Sequence, residues 1–117
     1  MLRHPYFAKS PPKSLDRDTF GVTYVRALTR RRPELRGPDL VATVTEFVAR
    51  SVADAYARHV PKGERIADVV VSGGGVHNPV LMDRLRQLVA PWRVRSSAEV
   101  GVDPDAKEAV AFAILAN

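Results

Sequence analysis

Three consecutive glycines, Gly73, Gly74 and Gly75, follow a run of β-branched apolar residues and precede Asn78 and Pro79. Glycine adopts positive φ readily and adds no side chain, so such a turn can present bare backbone to a flat ligand. Asn78 suits a helix N-cap and Pro79 the first helical position, so a helix is predicted to begin here. The unpaired N–H groups of a helix N-terminus attract phosphate. A tight strand-to-helix turn without a ligand remains the alternative.

The spacing of the glycines argues against the two common phosphate-binding fingerprints. Read from Gly73, the sequence is G-G-G-V-H-N, which lacks the third glycine of the dinucleotide motif. No acidic residue stands near positions 90–92, where that motif would place one about 20 residues on. No Gly-Lys-Ser/Thr follows, so a P-loop fits no better. His77 is expected to be a surface or capping residue, or at most a residue lining the site.

The elements around this turn follow from the hydrophobic pattern. Strands are predicted over 66–72 and 92–97, the first buried on both faces of a parallel sheet. Helices are predicted over 19–30 with Asp18 or Thr19 as cap, over 40–59 with Asp39 as cap, over 79–90, and after Asp105 as cap. A strand, a helix and a second strand form a right-handed parallel unit. Two strands are too few for such a sheet, so the sequence resembles a piece of a larger α/β domain.

The final helix is almost wholly apolar after Glu108 and is therefore predicted to be buried, with Phe112, Ile114 and Leu115 in the core. Asp103, Asp105 and Glu108 are interpreted as loop and cap residues. Residues 1–18 are expected to form a proline-rich arm, and 19–117 the helical and βαβα part.

Composition narrows the function classes. The chain contains no cysteine, which excludes disulfides and thiolate metal sites. No apolar run reaches the length of a membrane span and no signal peptide is recognisable, so we expect a cytoplasmic protein without a membrane partner. The net charge is +5, and the densest basic run is 26–36. It could contact phosphates, but no aromatic residues interleave with the arginines, which favours a solvated helix end and argues against nucleic acid.

The stretch "VVVSGGGVHNPVLMDRL" resembles the adenosine motif of the actin-like ATPase and sugar kinase superfamily. Together with "PYFAKSPPKSLDRDTFG" and "GVDPDAKEAVAFAILAN", it resembles the C-terminal third of the anhydro-N-acetylmuramic acid kinase family. The resemblance implies an α/β fold, namely part of the C-terminal domain of an actin-like ATPase. That domain is ribonuclease H-like, and we expect a few parallel strands with about four helices.

The resemblance also implies an ATP- and Mg²⁺-dependent enzyme of bacterial cell-wall recycling. The family opens the 1,6-anhydro ring of its amino-sugar substrate with water and phosphorylates O6, giving N-acetylmuramic acid 6-phosphate. Carried over by motif, the residues expected to bind the adenine nucleotide are Gly73, Gly74, Gly75 and Asn78. Lys13, Ser14 and Arg17 are the candidates for binding the sugar, with phosphate, solvent or a structural loop as alternatives.

The resemblance places the phosphate turns and catalytic aspartate of the superfamily in preceding segments, so no catalytic residue or metal ligand is assigned here. The chain by itself is expected to be inactive, and to need an N-terminal half or to associate with itself. The alternative is a non-catalytic nucleotide-binding or interaction module that needs a partner chain. Where the family reads Pro-Lys-Ser-Thr-Gly, this sequence has Leu15 and Asp16 after Ser14, so the loop is expected to differ in shape.

Overall fold

The computed structural model describes residues 1–16 and 18–116 of the protein. In this part of the chain, the fold consists of four α-helices and two β-strands, with short 3₁₀ turns between them. In chain order the elements are α1 (Val22–Arg31), α2 (Gly37–His59), β1 (Asp68–Val71), α3 (Pro79–Leu88), β2 (Arg93–Ser96) and α4 (Lys107–Leu115). This order confirms the predicted α/β class and every predicted element. The chain divides into two compact units, Met1–Phe47 and a second that begins at Val48.

Aromatic rings pack together in the first unit. The Phe20 ring lies 5.5 Å from Phe7, 5.0 Å from Tyr24 and 5.3 Å from Phe47, measured between ring centroids. Phe7 belongs to a 3₁₀ turn, Pro5–Ala8, so the proline-rich segment contains a short turn of helix. The Phe20–Tyr24 pair is edge-to-face and the other two are tilted, and aromatic pairs of this kind add to the apolar burial that holds a small unit together.

The start of α1 differs from the prediction. Its N-cap is Gly21, which makes no side-chain cap, so neither Asp18 nor Thr19 caps this helix. Thr19 is instead bonded to the Asp16 carboxylate, and the Gly21 N–H donates to the Asp18 carbonyl, which makes a turn before the helix. The predicted cap of α2 was also wrong, because the helix begins three residues before the predicted start at 40. Because α2 begins at Gly37, Asp39 lies in its first turn, where a carboxylate still favours the helix dipole.

The second unit contains the predicted parallel βαβ arrangement. β1 pairs with β2 in parallel, with Val69 opposite Val94. These two valines are 7% and 6% exposed and pack with α3. The members of this core are Ala49, Val69, Met82, Leu85, Val89 and Val94. Alternate residues of a strand point to opposite faces, so one face of the sheet carries this core.

The other face of the sheet corrects the prediction that β1 is buried on both sides. Val70 is 48% exposed there. Asp68 and Arg93 stand opposite each other on this face, and the guanidinium Nε donates to the carboxylate at 2.8 Å. The continuous apolar run of β1 therefore reflects one packed face and one partly solvated face.

The prediction that α4 is buried is wrong for the described chain. Phe112 and Ile114 are each 71% exposed, and Leu115 is 81% exposed. α4 makes no extensive contact with another described element, so its apolar residues stay open to solvent. An apolar composition predicts that such a helix packs against another segment, but it does not determine which segment that is. Asp105 does not cap α4 either, because the N-cap is Ala106 without a side-chain bond.

Candidate functional site

The glycine turn connects the end of β1 to the start of α3. Gly73 has φ 82°, and the chain then makes a 3₁₀ turn over Gly74–His77. The Asn78 Oδ1 accepts a hydrogen bond from the Leu81 N–H at 3.1 Å, and Pro79 occupies the first turn of α3. The predicted strand, glycine turn and Asn-Pro helix start are therefore confirmed as local structure.

The three glycines have different structural roles. A side chain at Gly73 would be strained, because the φ of 82° lies in the left-handed region. A Cβ added at Gly74 would meet no atom within 4 Å, so the backbone there borders open space. A Cβ at Gly75 would lie 3.4 Å from the Leu81 Cδ2, so that glycine allows close packing on α3. The turn thus presents bare backbone at Gly73 and Gly74.

The glycine turn is anchored to the loop that precedes α4. The Pro104 carbonyl accepts from the Gly73 N–H at 3.0 Å and from the Ser72 hydroxyl at 3.3 Å. Ser97, which is 4% exposed, donates its hydroxyl to Ser72 at 3.1 Å. Because Ser97 directly follows β2, these bonds connect the ends of both strands.

His77 takes part in the same arrangement. Its Nε2 lies 3.0 Å from both carboxylate oxygens of Asp105. The two side chains are 60% and 64% exposed, which agrees with the expectation of a surface histidine. The sequence pattern did not indicate the roles of Ser72, Ser97 and Pro104, since these contacts join residues more than 20 positions apart.

The turn lies at the edge of the sheet where ligands commonly bind. In parallel α/β sheets, ligands occupy the crevice beyond the carboxyl ends of the strands. Here the glycine turn follows β1, and the 3₁₀ turn Ser97–Val100 follows β2 at the same edge. Ser96 and Glu99 form a capping box that fixes this second turn. The edge therefore combines a rigid rim with the open backbone of the glycines.

Two of the predicted sugar-binding residues, Lys13 and Ser14, belong to the first unit, whereas the glycine turn belongs to the second. The Lys13 ammonium sits 4.8 Å from the centroid of the Tyr6 ring, a cation–π contact. Ser14 is exposed and lines a cleft of about 220 Å³ with His4, Tyr6, Lys9 and Asp16 among its walls. Arg17 lies outside the described residues.

Asp16, for which the resemblance predicted a loop of altered shape, does not use a left-handed backbone; among the described residues only glycines have positive φ. Its Oδ1 accepts from the Thr19 hydroxyl at 2.6 Å and from the Thr19 N–H at 2.7 Å. The hydroxyl bond, followed by the backbone bond, lowers the pKa of the Asp16 carboxyl below its ordinary range. The side chain thus closes a local turn without backbone strain.

The arginine-rich run makes local contacts. The Arg32 Nε lies 3.3 Å from a Glu34 carboxylate oxygen, with both side chains more than half exposed. The Arg36 Nε donates to the Pro33 carbonyl at 2.7 Å. Arg30 and Arg31 occupy the last turn of α1, where cations complement the helix dipole. These contacts match the solvated helix end that the sequence favoured.

Residues 1–16 and 18–116 contain neither a metal-binding cluster nor a helix that could span a membrane. Across these residues, no three histidine, aspartate or glutamate side chains are grouped so that they could hold a metal ion. Over the same residues, no helix has both the length and the apolar character that crossing a membrane requires.

Comparison with known proteins gives a consistent result. The family model described as anhydro-N-acetylmuramic acid kinase matches residues 1–117. Curated relatives with that name include one from Salinibacter ruber, 44% identical across 100% of this chain, and one from Gloeobacter violaceus, 46% identical across 98%. A relative from Clostridioides difficile is 33% identical across 100% of this chain. The match spans about 30% of the length of each of these relatives.

Proposed function

This chain belongs to the anhydro-N-acetylmuramic acid kinase family, and on that premise we propose that it forms the adenosine-binding, C-terminal part of such a kinase. The whole enzyme would use ATP to hydrolyse the 1,6-anhydro bond of anhydro-N-acetylmuramic acid and phosphorylate O6. The products would be N-acetylmuramic acid 6-phosphate and ADP. The proposed setting is cell-wall recycling in the bacterial cytoplasm, and the proposed wider fold is that of the actin-like ATPases.

The open backbone of the glycine turn is the observation that carries this proposal. Neither Gly73 nor Gly74 has an atom within 4 Å of the place that a Cβ would fill, so a flat group can approach the peptide planes. The turn stands beyond the carboxyl end of β1 and leads into the N-terminus of α3. That position favours a nucleotide whose base and α-phosphate lie against bare backbone. We assign the adenosine to Gly73, Gly74, Gly75 and Asn78.

Asn78 would act on the nucleotide through the helix that it starts. Its Oδ1 is occupied by the Leu81 N–H, so the residue fixes the direction in which α3 leaves the turn. The remaining N–H groups of the first turn of α3 then face the same edge as the glycines. The residue therefore shapes the rim of the site in this proposal.

The sugar would be bound by the loop that contains Lys13, Ser14 and Arg17. Support comes from the exposed Ser14 and from the cleft of about 220 Å³ that it lines, a size suited to part of a sugar ring. Polar side chains such as Lys9 and Asp16 on the wall of this cleft could exchange hydrogen bonds with hydroxyl groups.

In the proposed reaction, a water oxygen loses a proton and bonds to C1 as the C1–O6 bond breaks, and O6 takes the γ-phosphoryl group of ATP as ADP leaves. Mg²⁺ would neutralise charge on the phosphates of ATP. The described residues do not provide a cluster that fits this ion, so no step is assigned to it here. We expect no turnover by this chain alone, because the sequence contains no match to the family's phosphate hairpins or catalytic aspartate.

Family membership over the whole chain supports the kinase over a separate interaction module. A thermal melt of the purified chain with and without Mg-ATP tests the nucleotide part. At about 100 times Kd, binding should add about 2.7 kcal/mol and raise Tm by several degrees. A melt that is cooperative and unshifted by Mg-ATP would contradict nucleotide binding by this chain.

A phosphoryl-transfer assay tests the remaining part of the proposal. Labelled ATP and anhydro-N-acetylmuramic acid are incubated with the chain alone, and the sugar fraction is counted. We expect no labelled sugar phosphate above a protein-free control. Turnover by the chain alone would show that catalytic groups lie within these 117 residues.

A further inference from the structure

The glycine turn is held at both of its ends by one short loop. At its start, the Pro104 carbonyl accepts from the Gly73 N–H at 3.0 Å. At its end, the His77 Nε2 lies 3.0 Å from both carboxylate oxygens of Asp105. Gly74 and Gly75, the most flexible residue type, lie between these two anchors. The loop just before α4 therefore restrains a turn that precedes it by about 30 residues.

The chemistry of the histidine contact is defined by its partner. An ionised carboxylate only accepts hydrogen bonds, so the Nε2 of His77 carries the proton that is shared by the two oxygens. The backbone at Asp105 is itself restrained, because its N–H donates to the Asp103 Oδ1 at 2.8 Å. The acceptor of the histidine contact is thus carried by a backbone turn.

Exposure limits what this contact adds to folding. Both side chains are more than half exposed, and exposed pairs of this kind contribute little to the stability of a protein. A restraint on a glycine turn has a second consequence, since ordering the turn before a ligand arrives removes part of the entropy cost of binding. The contact is therefore better suited to preorganising the turn than to stabilising the fold.

We propose that His77 and Asp105 are positioning residues for the nucleotide, acting by fixing the glycine turn in its open shape. This inference rests on the proposed function, because the ligand is the nucleotide assigned there to the glycine turn. The two residues act on the ligand through the backbone of 73–75. Neither residue needs to contact the nucleotide, so a substitute for histidine that still donates to Asp105 should preserve binding.

The test measures the Kd for Mg-ATP in the full 117-residue chain and in four single variants. His77→Ala and Asp105→Ala remove the contact, while His77→Gln keeps a donor in place of Nε2. Asp83→Ala is the matched control, because it removes an exposed pair with Arg86, at 2.6 Å, on α3. We expect the two variants that remove the contact to weaken binding about three- to tenfold. His77→Gln and the control should stay within about twofold of the wild type.

A double variant checks that the two residues act as one unit. If they do, His77→Ala combined with Asp105→Ala weakens binding no more than either change alone. Additive losses would contradict the proposal. If His77→Gln loses as much affinity for Mg-ATP as His77→Ala, the proposal would also be overturned, because the imidazole ring itself would then contact the nucleotide.

Amide hydrogen exchange of residues 73–78 in the unliganded chain separates this inference from the proposed function. Asp105→Ala should accelerate exchange at these amides, and the Asp83→Ala control should not. If the wild type does not bind Mg-ATP, nucleotide binding fails while faster exchange still upholds the restraint on the turn. Unchanged exchange in Asp105→Ala overturns the inference, whatever happens to affinity.

Discussion

At the scale of single residues, Asp16 shows how one side chain closes a turn through its hydrogen bonds. The sequence predicted a loop of altered shape where this aspartate replaces a glycine. The structure shows no positive φ there; the carboxylate closes the turn by accepting both the N–H and the hydroxyl of Thr19. The substitution was visible in the sequence, but its hydrogen-bond partner was not, because propensity does not identify which donor an aspartate will use.

The Asp16 contact gives a prediction about protonation. Its pKa is lowered mainly by the Thr19 hydroxyl, so Thr19→Val should raise it toward the ordinary range. A carboxyl whose pKa is lower when folded stabilises the fold above its ordinary pKa, and this contribution is lost as the pH falls below about 4. An NMR titration of the Asp16 carboxyl checks the shift. Thr29→Val serves as control, and an unchanged Asp16 pKa in Thr19→Val would contradict the assignment.

The Asn78 cap gives a prediction about stability. Asn78→Ala removes the acceptor for the Leu81 N–H and should lower the free energy of unfolding by about 1 kcal/mol. Asn78→Ser keeps a capping oxygen and should recover most of that loss. Urea denaturation of the three proteins measures the difference. Equal stability of the alanine and serine variants would show that the cap has no energetic role.

At the scale of elements, the hydrophobic pattern located α3 and both strands because one face of each is buried. α3 illustrates the rule, since Met82 and Leu85 are 4% exposed while Val80 is 63% exposed. The same pattern failed for α4, where an apolar run predicted burial that the described elements do not provide. Periodicity identifies which face of an element is apolar, and the burial of that face depends on what packs against it.

The core of α3 gives a prediction that contrasts two apolar residues. Leu85→Ala should lower the free energy of unfolding by about 2–5 kcal/mol, because it opens a cavity between α3 and the sheet. Val80→Ala, on the exposed side of the same helix, should change it by less than about 0.5 kcal/mol. Denaturant titration measures both variants. Similar losses in the two variants would contradict the placement of the core.

Phe112 on the exposed face of α4 is expected to contribute little to stability, in contrast to the buried Leu85 of α3. Phe112 is 71% exposed, so Phe112→Ser should leave the free energy of unfolding within about 0.5 kcal/mol of the wild type. Phenylalanine and serine have similar helix propensities, so any change in the free energy of unfolding reports on side-chain packing. A loss of about 2 kcal/mol or more in the same titration would mean that Phe112 is packed, as the sequence first predicted.

At the scale of the whole molecule, the sequence indicated the family and the α/β class but did not indicate the division into two compact units. The boundary falls between Phe47 and Val48, inside the continuous helix α2, where no proline, glycine or change in composition marks it. Each unit has its own packing, aromatic in the first and aliphatic in the second. Long-range contacts, such as that between His77 and Asp105, could not be predicted either, because local sequence patterns do not relate residues so far apart in the chain.

We propose that the glycine turn binds an adenine nucleotide. A substitution at Gly74 tests this directly. Gly74 has neither a positive φ nor a neighbour within 4 Å of an added Cβ, so a side chain there should obstruct the ligand without straining the fold. Ala42→Leu is the control, because it adds a leucine at an exposed position of α2 in the first unit.

The decisive measurement is a calorimetric titration of Mg-ATP into the wild type, Gly74→Leu and Ala42→Leu. We expect binding by the wild type and by the control, and a loss of about tenfold or more in affinity, equivalent to about 1.4 kcal/mol, in Gly74→Leu. Absence of binding by the folded wild type, or equal affinity in Gly74→Leu, would contradict the claim that this turn is the nucleotide site.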